Sequence, residues 1–161
     1  METNESNLIK GADIRKNPAL LCNMPMVGLC KCWADKETLE LILNRVGYTF
    51  ENVEKDLEGN GNLYCIYIGG TERMYERIVN DHLNGKSKST LRISINGLFM
   101  FDNQLINDFV DKLYFECISE GNYRKEKKRL LGVGGKFYVL NINENRHKLA
   151  IKIKPILNKS R

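Results

Sequence analysis

The chain has 161 residues, is 42% hydrophobic and carries a net charge of +5, which is room for one compact core and too little for two. Its apolar runs, Gly97 to Phe101 among them, fall far short of the roughly 20 residues a membrane helix needs. The polar, acidic stretch from Met1 to Lys10 lacks the basic-then-apolar order of a secretory leader, so the expectation is a cytoplasmic protein with no membrane span.

Residues 1–23 carry no clear period and read as an N-terminal arm, ahead of a domain over residues 24–145 and a basic tail over 146–161. Val27 to Trp33 suits a strand. Asp35 is placed to cap a helix whose Leu39, Ile42, Leu43 and Val46 fall at helical spacing, with Gly47 to end it. An acidic stretch then closes in the turn-rich Gly59-Asn60-Gly61-Asn62. Leu63 to Ile68 is β-branched and aromatic, stopped by Gly69-Gly70, and predicts a central strand on which Tyr64 and Tyr67 point to opposite faces.

Thr71 is expected to cap the next helix, along which Tyr75, Ile78, Val79, His82 and Leu83 form one apolar stripe. Leu91, Ile93 and Ile95 alternate like a strand, while Leu91, Ile95, Leu98 and Phe99 fit a helix equally well, so period leaves both open. Leu105 to Val110 reads as helix and Lys112 to Ile118 as strand. A basic helix follows from about Asn122 to Leu131, then Gly132 to Gly135, a last extended run from Phe137 to Ile142, and a tail broken by Pro155. The five cysteines, Cys22, Cys30, Cys32, Cys65 and Cys117, include no C-x-x-C pair and read as free thiols, mostly buried, not as a zinc site.

From Asn122 to Arg161 twelve Lys and Arg face only Glu126 and Glu144, while the preceding residues are acidic by five. A basic end of this kind suits a polyanion, because each neutralised phosphate releases counterions. Arg77 offers a permanently charged planar fork that matches two phosphate oxygens. A surface pair with Asp81 at i+4 accounts for it otherwise. His82 titrates nearest neutrality but lies on the apolar stripe, where a satisfied core histidine is the alternative. Glu126 offers a hard oxygen to a divalent cation, or simple charge pairing within its basic run.

The spacing of Tyr67-Ile68-Gly69, Arg77 eight residues on and His82 five further resembles the second half of the GIY-YIG nuclease signature. Ser89-Thr90-Leu91-Arg92 matches a motif that some members carry after that helix. Gly28 to Trp33 is similar to the family's first strand, with Cys30 in place of its tyrosine, and Val139-Leu140-Asn141-Ile142 followed by Asn145 is similar to a closing motif. The resemblance implies an α+β fold, a small three-stranded antiparallel sheet flanked by helices, with a helix over Thr90 to Phe99.

It also implies a Mg2+- or Mn2+-dependent endonuclease acting on DNA. Tyr67, Arg77 and His82 would be catalytic and Glu126 the metal ligand, while Lys86, Lys88, Arg92, Arg124, Lys127 and Lys128 would contact nucleic acid. The family's glutamate precedes a leucine pair by three residues, which in this chain selects Lys127, one residue past Glu126. With Cys30, that offset gives the alternative, a catalytically degenerate DNA-binding module on the same fold.

Overall fold

The computed structural model describes residues 8–87 and 89–159. A short strand, β1 (Leu8–Lys10), leads into α1 (Gly11–Lys16), and β2 (Gly28–Asp35) runs into α2 (Lys36–Arg45) and the short α3 (Phe50–Val53). A hairpin of β3 (Gly59–Asn60) and β4 (Leu63–Thr71) follows. Then come α4 (Met74–Glu76), which continues as a π-helix over Arg77–Leu83, α5 (Thr90–Leu98), α6 (Asn103–Lys112), β5 (Tyr114–Ser119), α7 (Tyr123–Leu130) and α8 (Lys148–Leu157). No helix among the described residues is long and apolar enough to cross a membrane.

The strands form one antiparallel sheet in the order β1-β5-β2-β4-β3. The expected α+β architecture is present, but the sheet has five strands and not three, because a short strand joins each edge of the central β5-β2-β4 unit. One of them, β1, lies in the segment read as an arm, where Ile14 of α1 is also fully buried. Helices cover one face through a large core cluster, and a smaller cluster of Leu29, Trp33, Cys65, Ile68, Tyr123, Leu131 and Tyr138 covers the other.

A bulge sits in the middle of β4. Cys32 pairs with Tyr67 while the next residue, Trp33, pairs with Cys65, leaving Ile66 as an extra residue. An extra residue reverses the in-out alternation beyond it. Ile66 and Tyr67 both join the larger core, and Cys65 and Ile68 both join the smaller one. Tyr64 also packs against the larger core, so the expectation that Tyr64 and Tyr67 face opposite ways is corrected. Simple alternation holds only in an unbulged strand.

Capping explains where most helices begin. Asp35 accepts from the Thr38 N–H at 2.7 Å, Ser89 from the Arg92 N–H at 3.2 Å, and Asp102 from the N–H groups of Gln104 and Leu105. The Ser89 cap resolves the ambiguous segment as helix, burying Leu91, Ile95 and Leu98. Thr71 instead turns the chain, accepting from the Arg73 N–H at 2.9 Å before α4 begins without a side-chain cap. The wider π turns move Tyr75 out of the expected stripe into solvent and bury Met74, Ile78, His82 and Leu83.

Phe137 to Ile142, read as a last extended run, is buried but forms no strand. It seals the open edge of β4 instead. The Asn141 carboxamide accepts from the Ile68 N–H at 2.7 Å and donates to the Ile68 carbonyl at 2.9 Å, and the Leu140 N–H donates to Ile66 at 2.9 Å. The basic tail is likewise structured. Helix α8 passes through Pro155 and buries Ala150, Ile153 and Leu157, its last turn held so close to α5 that a Cβ on Gly97 would lie 2.0 Å from the Leu157 carbonyl oxygen. All five cysteines are free, four of them buried, and burial pushes the Cys32, Cys65 and Cys117 thiols up and out of the reactive range.

Candidate functional site

An open cleft of about 860 Å³ lies between the end of β4, the start of the α4 segment, α7 and the loops after α7. It is lined by Arg73, Arg77, Arg124, Lys127, Lys128 and Arg146 against two acids, Glu72 and Glu144. Close packing at Gly70 sets its floor, where a Cβ would fall 2.4 Å from the Tyr123 ring, so only glycine lets the α7 aromatic seat on β4. The Arg124 guanidinium lies over the same ring at 5.1 Å.

Within the cleft Arg77 is held by Asp81 at 3.0 Å, the i+4 pair legible in the sequence, yet its side chain stays about a third exposed and faces the opening. Lys127 lies 3.4 Å from Glu144. On α7, residues 123 and 127 are four apart and share a face, so the helix that buries Tyr123 necessarily turns Lys127 inward. Glu126 is about 100° around the helix from Lys127. It does not line the cleft and pairs with Arg129 along its own helix. That hydrogen bond holds its carboxyl below the usual range, with Lys31 adding a smaller pull.

Tyr67 and His82 come together, but inside the larger core. Their rings meet edge to face at 5.7 Å, and His82 stacks on Phe115 at 6.2 Å. His82 Nδ1 hydrogen-bonds the Ser89 hydroxyl at 3.1 Å and its Nε2 has no partner. Burial, with Arg77 and Arg92 nearby, drives the His82 pKa down to about 3, so the ring is neutral at ordinary pH and a weak base. Burial and the thiols of Cys32 and Cys30 push the Tyr67 phenol above the usual tyrosine range, although Arg77 and the Leu91 amide pull the other way. Neither side chain lines the cleft; Arg77 alone acts electrostatically on both.

The expected nucleic-acid contacts divide. Arg124, Lys127 and Lys128 line the cleft; Lys86 is exposed away from it, and Lys88 lies outside the described residues. Arg92 does not line the cleft: it is buried, and its guanidinium donates to the carbonyls of His82 and Leu83, tying the end of the π-helix to α5. Arg73 and Arg146 were not singled out by sequence reasoning, because only the fold brings the residue after the β4 turn beside the chain that follows α7.

The cleft sets two carboxylates, Glu72 and Glu144, among six cationic side chains, a poor donor set for a divalent cation. Among the described residues no three His, Cys, Asp or Glu side chains gather, and an ammonium group, Lys127, occupies the inward position on α7 that a carboxylate ligand would need. Its nearest acid, Glu144, is already engaged by it.

No curated protein and no solved structure matches the chain. A family model described as the GIY-YIG catalytic domain matches residues 32–161, a span that runs from β2 through the sealed edge of β4 and includes α8. With Tyr67-Ile68-Gly69 of β4 paired to Cys32-Lys31-Cys30 of β2 at the centre of the sheet and Arg77 facing a cationic cleft, the chain belongs to the GIY-YIG catalytic domain family, a family of nucleases.

Proposed function

We propose that the chain is a nucleic-acid-binding member of this nuclease family that grips the phosphate backbone of DNA in its cationic cleft without assembling a metal centre. The observation that carries this reading is the cleft itself, with six Arg and Lys side chains against two acids in one concave site. Arg77 and Arg124 offer forked donors for phosphate oxygens, and Lys127 and Lys128 add point charges along the same wall. None of these groups reads base edges, so binding is general and strongly dependent on salt.

The test is fluorescence anisotropy of a labelled duplex titrated at several KCl concentrations. Arg77→Ala is expected to weaken binding about tenfold and to lower the salt slope by about one. Absence of salt-sensitive DNA binding by the folded wild type sinks the reading.

A second reading, the metal-dependent DNA endonuclease, is favoured by the family and by the electrostatic reach of Arg77 to Tyr67 and His82. It requires Glu126 to leave Arg129 and turn into the cleft. Plasmid nicking by wild type with Mg2+ or Mn2+, abolished by EDTA and by Glu126→Gln, selects it; inert protein that still binds DNA selects the first.

A further inference from the structure

One cleft residue is unlike the rest. Val133 is 94% exposed, more than any other large apolar side chain among the described residues, and it lines the same cleft as Arg77, Arg124 and Lys128. It stands in the loop Gly132-Val133-Gly134-Gly135, closed by a hydrogen bond from the Gly135 N–H to the Gly132 carbonyl at 3.0 Å, with Gly134 at φ +84°. The loop's base is fixed. Leu131 is buried beneath it, and the Arg146 N–H donates to the Leu131 carbonyl at 2.7 Å.

A β-branched side chain on such a loop has few rotamers to lose and, flanked by residues without side chains, meets nothing of its own fold. Valine has no donor or acceptor, so it can gain in a phosphate-lined site only by leaving water for an apolar surface. On a nucleic acid the most extensive such surface is the face of a base, beside the smaller thymine methyl groups and sugar edges in the grooves. Reaching a base face means opening a base step, which costs unstacking energy in an intact duplex and little where the stack is already interrupted.

We propose that Val133 is a wedge that enters a base step while the surrounding cations hold the flanking phosphates, so that the cleft prefers duplex DNA with a broken stack over continuous duplex. This rests on the nucleic-acid reading above and adds a selectivity to it. The cations supply affinity for any duplex; the valine supplies discrimination.

The experiment compares a short labelled duplex, intact or carrying a single-nucleotide gap, with 2-aminopurine beside the gap to report unstacking. Wild type is expected to bind the gapped duplex about tenfold more tightly and to raise the 2-aminopurine emission. Val133→Ser should lose the preference and bind the two duplexes alike, while Val133→Phe should keep the preference. Because the side chain touches so little of the fold, both variants should melt with wild type. Equal binding of both duplexes by wild type, or a preference that survives Val133→Ser, overturns the wedge and leaves the cationic cleft standing. Absence of binding to either duplex removes the reading and the wedge together.

Discussion

At the scale of single residues, the fold separates groups that the sequence invites one to combine. His82 serves the interior: its ring is neutral, packed between Tyr67 and Phe115, and tied to Ser89. Folded His82 takes a proton only near pH 3, whereas an unfolded histidine takes one near 6.5. Its contribution to stability is therefore fully present above pH 6.5 and lost as pH falls toward 3, by up to a few kcal/mol. His82→Asn, which keeps a partner for Ser89, should give a flatter profile of urea midpoint against pH between 7 and 4 than wild type. Parallel profiles would contradict this. Position 127 allows a second prediction. Lys127→Glu places a carboxylate where the ammonium stands, so DNA affinity in EDTA should fall about tenfold or more, and Mn2+ binding by calorimetry should appear in the variant alone. Mn2+ binding by wild type that Glu126→Gln abolishes would reverse the assignment. Arg77 was legible from spacing and charge chemistry, and it faces the cleft. The burial of Arg92 was not legible, because a cation in a polar motif looks solvated until the carbonyls of a π-helix end take its donors.

Among the elements, strands and helices with strong periods were legible: β2, β4, β5, α2, α6 and α7 fall where apolar spacing and capping residues put them. What the sequence concealed was irregularity. Neither the bulge at Ile66 nor the π turns over Arg77–Leu83 leave a compositional mark, yet the first decides the face of Tyr67 and the second the exposure of Tyr75. Contact between α5 and α8 was also hidden, since it depends on Gly97 having no side chain. Gly97→Ala should push the Leu157 end of α8 away and cost about 1–3 kcal/mol, seen in calorimetry as a melting temperature lower by roughly 2–12 °C. An unchanged melting temperature would mean that the two helices part without cost.

For the molecule as a whole, described residues on both sides of the central segment pack into the fold, β1 by pairing with β5 and α8 by burying Ala150, Ile153 and Leu157. Removing residues 146–161 strips Ala150, Ile153 and Leu157 from the core, and each large apolar side chain contributes about 1.5–3 kcal/mol when fully buried. Against a total stability of about 5–15 kcal/mol, the truncated chain should lose cooperative urea unfolding and near-ultraviolet circular dichroism. Retention of both would return this segment to the status of a tail. The strand order has a consequence in time as well as in space. Strand β1 pairs with β5 across about a hundred residues of intervening chain, so a nascent polypeptide keeps β1 unmatched until β5 has emerged from the ribosome. A pair so distant in sequence carries a large loop-closure cost and is expected to close late in folding, so a bulky fusion placed just before Leu8 should be felt first in the rate of refolding.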